Sequence, residues 1–261
     1  MEIIVTRDYE EMSDRAAEIV IAEIKAKPNL VLGLATGSTP EGLYARLVKA
    51  HREQGLDFSR LTTFNLDEYV GLAPDHEQSY RYFMNRHLFD HINIRKDNTH
   101  LPDGLARDLG RYCRRYEQMI REAGGIDLQV LGIGRDGHLG FNEPGTSLAS
   151  RTQLVALAPE TIEDNSRFFR SKDQVPRFAI TMGIQSILEA RRCLLLASGA
   201  GKASALKGCI EGPVTSMLTA SALQLHPNAV VIADEAAASK LERLDYYRWV
   251  QEARKEIAHR L

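Results

Sequence analysis

The chain has 261 residues, with 33 Lys and Arg against 35 Asp and Glu, a formal net charge of −2, and 44% hydrophobic and 26% charged residues. This composition is ordinary for a folded protein, and a chain of this length builds a core without disulfide or metal staples. The near-zero charge argues against nucleic acid as the main partner, because phosphate-backbone binding needs a clear excess of Lys and Arg; it leaves room for a local basic pocket that holds one phosphorylated small molecule.

Residues 9–27 carry Met12, Ala16, Ile19, Val20 and Ile24 near helical spacing with charges between them, the pattern of an amphipathic helix. After Pro28, Leu30-Val31-Leu32-Gly33-Leu34 is a short continuous apolar run, as expected of a strand buried on both faces of a parallel sheet. A Gly/Ser/Thr turn leads into a helix over 40–53, with Thr39 suited to the N-cap and Pro40 to the first helical position. Leu61-Thr62-Thr63-Phe64-Asn65-Leu66 is a strand, 79–89 an aromatic-rich helix, and 107–123 a charged helix that stops at Gly124-Gly125. Leu128-Gln129-Val130-Leu131, Phe178-Ala179-Ile180-Thr181-Met182, Cys193-Leu194-Leu195-Leu196-Ala197 and Val230-Val231-Ile232 read as further strands, and 202–210, 214–223 and 245–259 as helices.

Strands alternating with helices predict one α/β domain over 1–261. Its sheet is open, mostly parallel and doubly wound (Rossmann-like), with helices on both faces and right-handed crossovers. The stretch 152–177 is different, being polar, rich in Glu, Asp, Arg and Ser, and poor in strand signal. It is expected to be a mobile lid-like insertion over a site. Cys113, Cys193 and Cys209 are odd in number and widely spaced, so neither a disulfide framework nor a zinc knuckle is expected. The start, Met1-Glu2-Ile3-Ile4-Val5 running into Arg7 and Asp8, is too short and acidic for a signal peptide. No apolar run approaches the roughly 18 residues of a membrane span. A cytoplasmic protein with no membrane partner is the expectation.

Ligands of such a sheet bind beyond the carboxyl ends of its strands, so the loops there carry the chemistry. Gly33-Leu34-Ala35-Thr36-Gly37-Ser38-Thr39-Pro40 follows a core strand, and Gly37 allows the backbone amides and the Ser38 and Thr39 hydroxyls to converge on an anion. Without a Lys after the glycine it is not a Walker A loop. Gly132-Ile133-Gly134-Arg135-Asp136-Gly137 formally satisfies GxGxxG, yet a dinucleotide fingerprint must open a helix. The residues that follow, His138-Leu139-Gly140-Phe141-Asn142-Glu143-Pro144-Gly145, hold glycines and a proline at poor helical positions, so the dinucleotide reading is set aside.

That loop instead gathers Asp136, His138 and Glu143. Two acids beside a histidine fix its tautomer and raise its pKa, which suits proton shuttling. The rival uses are a metal site, for which no second His stands at ligand spacing, and a purely structural hydrogen bond. Asn65-Leu66-Asp67-Glu68-Tyr69 ends another strand. Its acidic pair is unremarkable if solvated, but at a strand's carboxyl end Asp67 points into the crevice, where desolvation makes it a usable base. Ser198-Gly199-Ala200-Gly201-Lys202 opens a helix, and Lys202 adds a point charge for a phosphate. The lid adds Arg167, Arg170 and Lys172. Together the loops supply an anion cradle, cations, a free carboxylate and a carboxylate-flanked histidine.

With these residues the sequence resembles the glucosamine-6-phosphate deaminase family. The resemblance is carried by Leu34 to Pro40, Phe64-Asn65-Leu66-Asp67-Glu68-Tyr69-Val70-Gly71-Leu72, Gly132 to Pro144, Ser147-Leu148-Ala149-Ser150-Arg151-Thr152, Asn165-Ser166-Arg167-Phe168-Phe169 and Leu223-Gln224-Leu225-His226-Pro227. It implies conversion of glucosamine 6-phosphate and water to fructose 6-phosphate and ammonia, in amino-sugar catabolism, with no cofactor and no metal. It further implies that His138, supported by Asp136 and Glu143, opens the sugar ring, and that Asp67 moves the C2 proton to C1. Thr36, Gly37, Ser38, Thr39, Arg167 and Lys202 are implied to hold the 6-phosphate. Allosteric members carry basic residues two and four positions after the counterpart of Arg151. Here Gln153 and Val155 stand there, and Thr146 replaces an effector-contacting serine. Activation by N-acetylglucosamine 6-phosphate is therefore not expected, and whether the chain is a monomer or a homo-oligomer stays open.

Two other readings compete. In 6-phosphogluconolactonases the acidic pair is typically followed by Arg, and the Asp-Gly-His loop lacks Phe-Asn-Glu-Pro. Tyr69 and Phe141-Asn142-Glu143-Pro144 favour the deaminase. A sugar-phosphate-sensing regulatory domain would come with a DNA-binding helix-turn-helix, for which no segment is spare.

Overall fold

The computed structural model describes residues 1–166, 169 and 171–258. The chain opens with β1 (Glu2–Thr6), α1 (Tyr9–Ala26), β2 (Val31–Leu34), α2 (Glu41–Gln54), β3 (Thr62–Asn65) and β4 (Asp67–Tyr69). It continues through α3 (Tyr80–His87), β5 (Thr99–His100), α4 (Leu109–Glu122), β6 (Leu128–Leu131), β7 (Gln153–Ala156) and α5 (Pro159–Ser166). Then come β8 (Phe178–Thr181), α6 (Ile184–Leu188), β9 (Arg192–Ala197), α7 (Ala203–Glu211), β10 (Ala229–Asp234), α8 (Glu235–Ala238) and α9 (Leu244–Ala258).

Seven strands form one sheet in the order β1-β10-β9-β6-β2-β3-β5, every adjacent pair parallel. β2, β6 and β10 are buried at every position, which is why they read as unbroken apolar runs rather than as alternation. One core, built around Met12, Val20, Leu32, Leu43, Leu47 and Val130, packs α1, α2 and α3 on one face. The other, around Val31, Phe64, Tyr116, Leu131, Leu195 and Leu206, packs α4, α6, α7 and α8 on the opposite face. The open, mostly parallel α/β sheet expected from the sequence is the observed one.

Four features depart from the sequence reading. The strand at 178–182 does not join the large sheet. β8 is the centre of a separate antiparallel sheet, β4-β8-β7. An apolar run reports burial, not the sheet or direction in which it pairs. Within 152–177, β7 was not foreseen, because it is a sheet edge whose burial only half alternates. The helix expected over 214–223 is instead a turn bridging Thr215 and Leu218, followed by a 3₁₀ helix over Thr219–Leu225. There the Ser221 hydroxyl accepts from the Thr215 amide and donates to its carbonyl, competing with helical bonding. α2 also begins one residue late, with Pro40 rather than Thr39 at its N-cap and no side-chain cap bond. None of the helices among the described residues is long and apolar enough to cross a membrane.

One carboxylate ties the ends of several elements together. Asp127, just before β6, accepts from Lys27 after α1, Arg191 before β9 and the backbone amide of Val31 at the start of β2. Asp127→Ala is expected to lower stability by about 1–3 kcal/mol, chiefly by leaving the buried Val31 N–H without an acceptor. Chemical denaturation of the two proteins measures this.

Candidate active site

From β2 the chain winds to β3 and β5 in one direction, then returns so that β6, β9 and β10 extend the sheet the other way. The reversal lies between β2 and β6, and a ligand crevice forms at such a switch point, beyond the carboxyl ends of the strands. A cleft of about 450 Å³ occupies that place, lined by Thr36, Gly37, Ser38 and Thr39 after β2 and by Gly132 to Arg135 after β6. Asp67, His138, Ser198, Gly201 and Lys202 line it as well. Asp136 and Glu143 border it through His138. Arg167 and Arg170 lie outside the described residues.

The loops are held by distant side chains. The Tyr9 hydroxyl donates to the Ser38 carbonyl at 3.0 Å and accepts from the Gly42 amide at 2.7 Å, fastening the loop after β2 to α1 and α2. Asp234, ending β10, accepts from the Ser198 hydroxyl and the Gly199 amide and so fixes the turn that leads to Lys202. The loop after β6 is pinned by Asn142, whose amide donates to the Leu139 and Met182 carbonyls at 2.8 Å each, and by the Phe141 amide donating to Thr181. It does not open a helix, in line with setting the dinucleotide fingerprint aside.

In that loop the His138 imidazole lies over Gly134, where a Cβ would come within 2.5 Å of the ring. His138 Nδ1 stands 2.7 Å from Asp136 Oδ1 and 3.5 Å from Glu143 Oε2. The closer contact is poorly aligned with the ring N–H, so it acts mainly as a contact between charges. Burial pushes the His138 pKa down, but the two carboxylates outweigh it and raise it to about 9. Burial opposes ionisation of Asp136 and Glu143 as well, yet their contacts with His138 bring both below the usual carboxylate range. The three groups are close enough to share a metal ion, but their spacing is equally that of an imidazolium between two carboxylates, and the histidine already fills that role.

Glu143 also faces α5, accepting from the Thr161 hydroxyl at 2.6 Å and the Ala158 amide at 3.2 Å. Asp67, which also lines the cleft, begins β4, 6% exposed and paired with Thr181 of β8. Burial, then the charge of Glu68, pushes its pKa up to about 8, while His138 pulls it down. Gly140, at φ 58, passes so close that a Cβ there would lie 3.2 Å from Asp67 Oδ2 and 2.8 Å from Thr181 Oγ1, so a side chain at 140 would crowd the acid.

The sequence reading missed the wall opposite. Ser79, Tyr80 and Phe83 of α3 and its approach, with Thr161, Asn165 and Phe169, also line the cleft. Tyr69, Tyr80 and Phe141 form an aromatic cluster, with Tyr80 stacked on Phe141 at 6.0 Å and Phe169 edge-on to Tyr69 at 6.0 Å. The aromatic density of 79–89 was visible in the sequence, but nothing local said that it faced the crevice.

A glycine-bearing turn, the Lys202 side chain, a desolvated carboxyl and a histidine held between acids thus meet at one cleft, an arrangement of the enzyme class. Residues 7–235 match the family described as glucosamine-6-phosphate isomerases/6-phosphogluconolactonase. The chain is 55% identical over 239 residues to a glucosamine-6-phosphate deaminase of Thermoanaerobacter pseudethanolicus, covering 92% of this chain and 94% of that protein. It is 50% identical over 261 residues to one of Shewanella woodyi, covering 100% of this chain and 99% of that protein. Among solved structures it is similar to a monomeric glucosamine-6-phosphate deaminase, with a TM-score of 0.91 and 49% identity over 92% of this chain and 100% of the other. A 6-phosphogluconolactonase from Trypanosoma cruzi shares the fold, with a TM-score of 0.74 and 23% identity over 92% of this chain and 97% of the other. The chain belongs to the glucosamine-6-phosphate deaminase family.

The raised pKa of Asp67 has a consequence for stability. A carboxyl whose folded pKa exceeds its unfolded value near 3.9 is favourable to folding while protonated, and that contribution fades as pH rises through about 8. Asp67→Asn mimics the protonated acid, so the variant should gain stability over the wild type between pH 4 and 8 and hold a constant advantage above. Melting temperatures across that range test it, and an advantage that shrinks with rising pH would contradict the burial argument.

Proposed function

We propose that the chain converts glucosamine 6-phosphate and water to fructose 6-phosphate and ammonia. The observation that carries the reading is that a desolvated Asp67 and the His138 of the Asp136–His138–Glu143 group line one cleft together with the turn at 36–39 and Lys202. Thr36, Gly37, Ser38, Thr39 and Lys202, with Arg167, bind the 6-phosphate, so binding energy at that end positions C1 and C2 at the other. His138 passes a proton from the C1 hydroxyl to the ring oxygen and opens the ring. Asp67 removes the C2 proton to give an enolamine and returns it to C1, leaving an imine at C2. Water adds to that carbon, ammonia departs and the ketone forms. Asp136 and Glu143 keep the imidazole oriented and basic.

Residues 152–177 are read as the lid, with β7 anchored on β8 and α5 as the part that covers the substrate. The chain is read as one α/β domain acting in the cytoplasm, a setting in which Cys113, Cys193 and Cys209, free and buried, stay reduced. The lactonase alternative is disfavoured by Tyr69 and by Phe141-Asn142-Glu143-Pro144, and no observation favours a sensing domain.

Ammonia release from glucosamine 6-phosphate tests the reading directly; a folded wild type that releases none refutes it. Asp67→Asn is expected to lose about 10²–10⁴ in kcat while keeping its fold. Retention of full activity would remove Asp67 from the base role and leave the reaction standing. Because Gln153 and Val155 offer no charge to a phosphate, the substrate curve should be hyperbolic and unmoved by N-acetylglucosamine 6-phosphate. A sigmoidal curve that this compound makes hyperbolic would overturn that expectation.

A further inference from the structure

Glu68 sits beside Asp67 on β4, 3% exposed, and takes no part in the steps above. Its Oε1 accepts from the backbone amides of Tyr69 and Tyr80 at 2.9 Å each, and its Oε2 from that of Arg81 at 3.0 Å. Tyr80 and Arg81 are the first two residues of α3, and the Ser79 hydroxyl accepts from the amide of Tyr82 at 3.0 Å. Three successive amides that open the helix are thus satisfied, two of them by Glu68 from another element. All of Glu68's partners here are N–H groups. They donate and cannot accept, so they favour the carboxylate over the acid, and the positive end of the helix dipole adds to that preference.

α3 carries Tyr80 and Phe83 into the cleft wall, so the carboxylate that anchors the helix also stands next to the proposed base. We propose that Glu68 is a positioning residue for the reaction: held as a carboxylate by the opening amides of α3, it fixes the Tyr80–Phe83 wall and keeps a negative charge beside Asp67 that strengthens it as a base. The inference rests on the function proposed above.

Asp67 is faced by His138 from the loop after β6, Glu68 and Tyr69 from β4, Tyr44 from α2, Tyr80 from α3 and Tyr116 from α4. Glu68 is faced in addition by Arg81. The tyrosines have raised pKa values and stay neutral, so among the described residues His138 is the cation that eases the ionisation of Asp67 and Arg81 the one that eases that of Glu68, while the charge of Glu68 opposes ionisation of Asp67. Burial pushes Glu68 up to about 7 against the pull of its three amides, whereas Asp67 reaches about 8. Because Glu68 has three amide donors and Asp67 is penalised in addition by the charge of Glu68, rising pH ionises Glu68 first and Asp67 second, next to a charge already in place.

The test is a carbon-13 titration of side-chain carboxyls in the full chain, with Asp67→Asn and Glu68→Gln assigning the two signals, beside the pH profile of ammonia release. In the wild type, Glu68 should lose its proton at lower pH than Asp67. In Glu68→Gln the Asp67 midpoint should fall by about one pH unit, and the acid limb of kcat/KM should move down with it. An unmoved Asp67 midpoint in a folded Glu68→Gln, whatever happens to KM or melting temperature, would reduce Glu68 to a structural anchor and overturn the proposal. If that variant does not fold, the wild-type order decides, and Asp67 ionising before Glu68 overturns it. A wild type that titrates as expected but releases no ammonia refutes the deaminase reading and leaves the coupling intact.

Discussion

The burial of two adjacent carboxylates is the constraint on which the rest of the site depends. β3 ends at Asn65, and β4 starts only two residues later, in a different sheet. That change of sheet puts Asp67 and Glu68 under cover, opposite Thr181 and Ile180 of β8. An uncompensated buried carboxylate is costly enough that it either finds donors or keeps its proton. The two residues take one solution each. Glu68 gathers three amides, while Asp67 faces the cleft with a raised proton affinity. The small antiparallel sheet exists at the point where this desolvation is created, and the glycine at 140 lets the loop after β6 close over it.

The histidine group is built on the reverse principle. His138 is buried too, but it is given two carboxylates, so its charged form is favoured where that of Asp67 is penalised. Acid–base sites work by placing titratable groups in environments that drive their ionisation in different directions. Burial favours the protonated form of Asp67, and the flanking carboxylates favour the protonated form of His138, so one holds its proton as a neutral acid and the other as a cation. The charges also see one another, since His138 eases the ionisation of Asp67. Glu143 extends this arrangement outward. Its second oxygen is bound by Thr161 and Ala158, so the environment of the histidine includes α5.

What the sequence disclosed follows from what a local pattern can encode. Leu128–Leu131 was delimited at both ends, and the other strands buried on both faces to within a residue or two, because a strand sealed on both sides must be continuously apolar. The loops at their carboxyl ends could then be picked out by residue type. The short polar strands β4, β5 and β7 carry no such run; they exist through pairing with partners distant in sequence. The same limit hid the cleft wall. Ser79, Tyr80 and Phe83 look like any amphipathic helix start until Glu68, eleven residues before Ser79, is seen to hold it. Asp67 was found as a strand-end acid, but Glu68 beside it was legible only as the other half of an acidic pair, because two of its three amide donors come from another element.

The distribution of charge explains why a nearly neutral protein is suited to an anionic substrate. On the proposed reading, positive potential at the phosphate end comes from Lys202 and the backbone amides and hydroxyls of the turn at 36–39, and amides add no net charge to the chain. That end grows from the large parallel sheet and is braced by Tyr9 and Asp234 from α1 and β10. The reacting end grows from the small sheet and the loop after β6, joined to the first by β2, β3 and β6. A substrate held by its phosphate against the rigid sheet therefore presents its other end to groups whose proton affinities are set by the small sheet's burial. On that reading the anchor and the chemistry draw on different elements, and Asp67 owes its proton affinity first to burial and then to the charge of Glu68, against the pull of His138.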